Sequence, residues 1–166
     1  MKTKKLVLSA LFIALGVSTS HLIAIPVGVS KCFPVQHLIN VLSAVLLGPF
    51  YALWNAIAIS TLRNLLGVGT LLAFPGSIFG AFLAGLLYKW VKKILPAVIG
   101  EIFGTGIIGS LASYPVAKFL MGTDLAFYFF VVPFLVSTIG GSIIGYLILK
   151  IMIKRKSFEN WINSKK

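Results

Sequence analysis

Long uncharged runs of apolar residues, broken at intervals by lysines, leave this chain one medium in which to fold. Only three of its 166 residues are acidic, against fifteen Lys and Arg, and 58% are hydrophobic. A helix that crosses hydrocarbon needs about 20 apolar residues. The chain therefore has room for six crossings and none for a soluble domain. A transmembrane barrel would alternate apolar and polar residues along strands of about ten. Leu6 to Val17 and Phe129 to Ile139 are nearly continuous instead, and in such stretches a helix satisfies its own backbone groups. The expected fold class is all-α integral membrane: a single domain over 1–166 built as a bundle of six transmembrane helices.

Spans are expected at about 5–20, 35–47, 50–66, 75–91, 96–120 and 126–150, followed by a basic tail over 151–166. Gly48-Pro49 ends the short second span, and Pro75 opens the fourth in the first-turn position that proline favours. His21 to Pro34 carries Pro26, Gly28, Lys31 and Pro34 among apolar residues. It is too broken for a helix and too apolar for a solvated loop, and reads as a lid dipping into the membrane surface. Lys2, Lys4 and Lys5 before an apolar run are also how a secretory signal starts. Ser18-Thr19-Ser20-His21 is a poor cleavage site, however, and further spans follow at once, so the first span is expected to be retained.

Six spans put both termini on one side. That side receives Lys2, Lys4, Lys5, Lys89, Lys92, Lys93, Lys150, Lys154, Arg155, Lys156, Lys165 and Lys166, while the other receives only Lys31, Arg63 and Lys118. The positive-inside bias predicts cytoplasmic termini and a multi-pass protein of the cell membrane. It also makes the net charge of +12 a topology determinant held near anionic membrane lipid, with no nucleic-acid partner implied.

Small residues recur at four-residue spacing: Ala10 and Ala14 in span one, Gly76, Gly80 and Ala84 in span four, Gly100 and Gly104 in span five, Ser137, Gly141 and Gly145 in span six. Such stripes let backbones approach closely in lipid, where no hydrophobic force drives helices together. Packing within the bundle explains the last three. The Ala10 and Ala14 face is open to two readings, bundle packing or a partner protein.

Glu101 lies inside an apolar stretch, where a carboxylate is costly and by default marks a site. Thr105 shares its face at i, i+4. Against this stands its depth: it lies about five residues into its span, about 8 Å along the helix, closer to the cytoplasm than an outward pocket requires. A brace to a neighbouring helix is the alternative. The other polar residues away from the cytoplasmic edge are His21, Lys31, Gln36, His37, Asn40, Trp54, Asn55, Arg63, Asn64, Ser77 and Tyr114. Most map to the outer half, which predicts a pocket open to the exterior. His37, Asn40, Asn64, Ser77, Glu101, Thr105 and Tyr114 are the candidate substrate-binding residues. Other roles are open to single members: Trp54 and the tyrosines in an interfacial belt, Arg63 snorkelling to the surface, Asn40 and Asn55 as hydrogen-bonding glue.

No enzyme is expected, and no cofactor. The chain has no nucleophile elbow, no His pair bracketing a Glu on a helix turn and no Gly-Lys dipeptide, so it cannot itself hydrolyse ATP. His21 and His37 are sixteen residues apart with no cysteine pair nearby, a poor basis for a metal site. Cys32 is the only cysteine, which excludes an intrachain disulfide. A channel would call for repeated charged rings, which the spans do not supply.

Several segments taken in order resemble a known family. These are Ala10-x-x-x-Ala14, Lys31-Cys32-Phe33-Pro34-Val35-Gln36-His37, Arg63-Asn64-Leu65-Leu66-Gly67, Phe74-Pro75-Gly76-Ser77 and Gly100-Glu101-Ile102-Phe103-Gly104-Thr105-Gly106. Over nearly its whole length the chain resembles the substrate-binding S components of energy-coupling-factor vitamin transporters, most closely the ThiW family. The resemblance implies capture of a thiamine precursor, hydroxyethylthiazole, at the outer face. It also implies association with a transmembrane coupling subunit and two cytoplasmic ATPase subunits, with Ala10 and Ala14 as the partner-binding face. The alternative is a stand-alone secondary transporter or channel in which Glu101 couples transport to protons.

Overall fold

Apolar runs separated by Pro and Gly resolve, in a computed structural model, into six helices; the structure describes residues 2–19, 25–27, 30–123 and 126–154. Helix α1 covers Lys2–Thr19, α2 Pro34–Leu46, α3 Pro49–Leu65, α4 Pro75–Val91, α5 Ile94–Leu120 and α6 Val131–Ile153. Proline opens α2, α3 and α4, where its missing N–H leaves nothing unsatisfied. Between α2 and α3 the chain reverses at Gly48, whose φ of +96° is accessible to glycine without steric cost. The last helix begins at Val131 rather than at 126. Residues 127–130 form a turn, with the Phe129 N–H donating to the Ala126 carbonyl at 2.8 Å, and Pro133 then falls in the first helical turn.

Three segments, Leu71–Val91, Ile94–Leu120 and Val131–Ile153, are long and apolar enough to cross a membrane. Helices α2 and α3, with 13 and 17 residues, fall short of the roughly 20 a crossing needs. Exposed Trp54, Trp90, Phe103, Ile143 and Leu147 cover helix outer faces, the surface of a helical membrane protein. Helix α5 is not uniform. It is α-helical over Ile94–Phe103 and Ser110–Pro115 and widens into π turns over Gly104–Gly109 and Val116–Leu120. Pro115 has no N–H to return to the preceding turn, so regular hydrogen bonding is broken there.

Within the expected lid, Ile25–Val27 and Ser30–Cys32 pair as a short antiparallel ribbon with Pro26 opposite Lys31. His21 and the remaining lid positions before Ser30 lie outside the described residues. The ribbon is tied to α6: the Cys32 thiol meets the Pro133 carbonyl at 3.0 Å, and the Phe33 N–H donates to Ser137 Oγ at 2.9 Å. Burial pushes the Cys32 thiol above its ordinary value, the signature of a packed thiol rather than a reactive one.

Helix α2 is central, with α1, α3, α4, α5 and α6 all against it. The seams are as close as small residues permit. A Cβ on Gly104 would stand 2.7 Å from Gly80 Cα, and one on Gly100 3.0 Å from Ala84 Cα, so α4 and α5 meet backbone to backbone, antiparallel. A Cβ on Gly141 would run into the Pro34 carbonyl oxygen and lie 2.9 Å from His37 Cβ, while Gly145 faces Val41, so α6 runs parallel to α2. By contrast, Ala10 and Ala14 are exposed; α1 docks through Phe12, which is buried, and through Gly16 against Ile59. This arrangement gathers Lys89, Lys92, Lys93, Lys150 and Lys154 at one end of the bundle. Pro34, Arg63, Pro75 and Lys118 lie at the other.

Neighbouring glycines on α6 test the seam. Gly141→Ala should destabilise the protein by about 1–3 kcal/mol through overpacking, seen as a lower thermal denaturation midpoint in detergent. Gly140→Ala, whose Cβ would meet only Pro34 Cβ at 4.0 Å, should be neutral or slightly stabilising, since Ala is the better helix former.

Candidate functional site

At the end of the bundle opposite the clusters of Lys89, Lys92, Lys93, Lys150 and Lys154 lies a cavity of about 400 Å³, bounded by the first turns of α2 and α6, the end of α3, the turn preceding α4 and the chain following α5. Aromatic rings form much of its wall: Phe33, Phe129, Phe130 and Phe134. The polar part of the wall is Gln36, His37, Arg63, Thr70, Thr123 and Ser137. A mainly apolar cavity of this size with a few convergent polar groups has the build of a small-molecule site.

Behind the cavity stands Glu101, fully buried. Its Oε1 is 2.9 Å from His37 Nδ1 and accepts from Asn40 Nδ2 at 2.9 Å and from Thr105 Oγ1 at 3.1 Å. Its Oε2 has no hydrogen-bond partner among the described residues. The sequence makes this convergence intelligible. His37 and Asn40 share a face of α2 at i, i+3, Glu101 and Thr105 share one of α5 at i, i+4, and Gly80 of α4 leaves room for both, since a Cβ there would overlap Thr105 and lie 2.8 Å from Glu101 Oε2. The same contact sets the depth of the carboxylate along α4. Gly80 is five positions from Pro75 and eleven from Val91, so Glu101 lies about 8 Å from the cavity end of α4 and about 17 Å from the lysine end. His37, in the first turn and a half of α2, bridges Glu101 and the cavity.

A second network runs beside the first. Gln36 donates from Nε2 to Ser60 Oγ at 3.2 Å and presents its Oε1 to Arg63 Nη1. Ser60 and Ser77 both donate to the Ala73 carbonyl, at 3.0 and 2.8 Å. The Arg63 guanidinium lies over the Phe33 ring, 4.1 Å from its centroid.

Of the expected site residues, His37 alone lines the cavity. Asn40, Glu101 and Thr105 form the node behind it, and Asn40 Nδ2 also approaches the Ser77 carbonyl at 3.4 Å. Ser77 is buried in the second network. Asn64 is spent locally, donating to the Ser60 and Thr70 carbonyls at 2.8 and 3.0 Å. Tyr114 sits apart, its ring edge-on to Phe127 and its hydroxyl 3.4 Å from Lys118 Nζ. Asn55 is glue between helices, accepting from Ser9 and donating to Ser43 Oγ at 3.0 Å. Residues that sequence reasoning did not select are Gln36, Arg63, Phe33, Phe130, Phe134 and Ser137. Arg63 does not snorkel: it is 1% exposed. Hairpin symmetry about Gly48 is the signal that could have found this cluster, because Gln36 and Ser60 are equidistant from the turn.

Comparison with protein families matches residues 6–155 to the family described as thiamine-precursor transporter protein (ThiW). No curated protein and no solved structure matches the chain. With nine-tenths of its length matched, the chain belongs to the ThiW family of thiamine-precursor transporter proteins.

Proposed function

We propose that this protein is the substrate-capture subunit of an ATP-driven energy-coupling-factor importer, taking hydroxyethylthiazole from the exterior into the cavity beside His37. The observation that carries the reading is the cavity's place at the end of the bundle opposite the lysine clusters. By the positive-inside bias that end is extracellular, both termini are cytoplasmic and the six helices are six spans of one membrane domain. The short α2 and α3 fit this scheme as spans that stop below the outer surface, leaving the cavity above them. The basic tail over 151–166 follows at the cytoplasmic side.

Recognition follows from the two layers of the site. When His37 donates from Nδ1 to Glu101, its neutral ring keeps Nε2 as an acceptor, suited to the hydroxyl of a hydroxyethyl group. The phenylalanine wall takes the thiazole ring by edge and face contacts. Glu101 acts through His37, with Asn40 and Thr105 holding the carboxylate. Hydroxyethylthiazole should raise the thermal denaturation midpoint of the detergent-solubilised protein. Glu101→Gln should weaken that ligand about tenfold, 1.4 kcal/mol, by loosening His37. Unchanged affinity with lower thermal stability would make Glu101 a brace only.

Coupling to ATP needs partners, since the chain has no phosphate-binding loop. The exposed Ala10 and Ala14 face suits a transmembrane coupling subunit carrying two cytoplasmic ATPases, because small side chains let helices meet closely in lipid. Replacing both alanines by Trp should abolish uptake in cells while leaving substrate binding by the isolated protein intact. Loss of binding as well would assign the face to the bundle.

One observation favours a second reading, a proton-coupled secondary transporter: the buried His37–Glu101 pair is an acid–base couple within the bundle. Energy dependence separates the two. Uptake should stop when the ATPase partners are deleted; uptake that survives their loss and collapses with the proton gradient supports the second reading.

A further inference from the structure

The cavity contains a charge that the helices do not satisfy. Arg63 is 1% exposed, its Nη1 is engaged by Gln36 and its flat face by Phe33. Among the described residues its Nε and Nη2, both buried, have no hydrogen-bond partner. These two atoms form one edge of the guanidinium, the two-pronged edge that matches a carboxylate or phosphate oxygen for oxygen. For Gln36 to turn and cover them it would have to give up its bond to Ser60. Nor is there an acid to neutralise the charge among the described residues. Glu101 already accepts from His37, Asn40 and Thr105, and the chain's other acids, Asp124 and Glu159, lie outside them. Leaving a buried guanidinium unpaired is costly. A simple latch between α2 and α3 would need Nη1 and the ring stack only, and would leave no unpartnered edge on a residue that lines the cavity.

We infer that this cavity takes a small heteroaromatic ligand carrying an oxyanion, a phosphate ester or a carboxylate, received by Nε and Nη2 of Arg63. The inference rests on the reading of the cavity as the precursor site and narrows which precursor fits: an anionic thiazole is favoured over neutral hydroxyethylthiazole, and cationic thiamine is disfavoured by like charge.

The test is calorimetric titration of the whole protein, in detergent free of phospholipid, with hydroxyethylthiazole, its phosphate monoester, a thiazole carboxylate and thiamine. Benzoate and benzyl alcohol serve as a generic anionic and neutral pair. At least one anionic thiazole should bind about tenfold or more tighter than hydroxyethylthiazole, and whichever of the two does so identifies the oxyanion. Arg63→Gln should bring the ratio of anionic to neutral affinity to about one, and Arg63→Lys, which keeps the charge without the fork, should retain only part of the preference. If no thiazole binds but benzoate is preferred over benzyl alcohol in an Arg63-dependent way, the precursor reading falls and the oxyanion site stands. Equal affinity of the wild type for neutral and anionic ligands in both sets, or no binding by any of them, overturns the inference. So does an anion preference that emerges only in Asp124→Asn, which would show that Arg63 is already neutralised within the chain.

Discussion

One oxygen organises the interior of this bundle. Glu101 Oε1 receives donors from His37 and Asn40 on α2 and from Thr105 on its own helix, in a fully buried position. In a helical bundle clad in lipid there is no water inside to satisfy a polar group, so each must find its partner on a neighbouring helix. A carboxylate with several lone pairs satisfies three donors at once and fixes the rotation of α2 relative to α5. His37 is thereby held at the floor of the cavity, and the cavity's chemistry depends on the node behind it.

Close approach of helices makes the node possible. A three-donor convergence within about 3 Å requires backbones nearer than larger side chains allow, and that approach is supplied at two seams, by Gly80 and Gly104 between α4 and α5 and by Gly141 between α6 and α2. The stripes of small residues are therefore part of the site as well as of the packing. The same logic explains why α2 is short: beginning at Pro34, it ends below the cavity and puts its first polar residues into the cavity wall instead of into solvent.

How much of this is readable beforehand varies with the sequence separation involved. Helix starts at Pro34, Pro49 and Pro75 follow from local chemistry, and the Glu101–Thr105 pair follows from helical spacing. The meeting of Glu101 with His37 and Asn40 requires the tertiary seam, although the pairing of faces on each helix is legible. Arg63 misleads because its position near a helix end suits a snorkelling side chain equally well; only the hairpin register between α2 and α3, which brings Gln36 beside it, decides its burial. Asn64 and Tyr114 mislead for the opposite reason. Polarity makes them candidates, yet one is consumed by a carbonyl of its own helix and one of the turn that follows, and the other lies beyond π turns where a period of 3.6 residues loses register. The aromatic wall is invisible in advance, since phenylalanines facing a cavity and facing lipid look alike in a sequence.

The central claim is that a thiamine precursor occupies the cavity opposite the lysine end, between Phe33, His37 and Arg63. A structure of the protein determined with bound precursor tests it most directly. Ligand density is expected in that cavity, within hydrogen-bonding distance of His37 and enclosed by the phenylalanine wall. Density at the lysine end of the bundle, with the cavity empty, would contradict it.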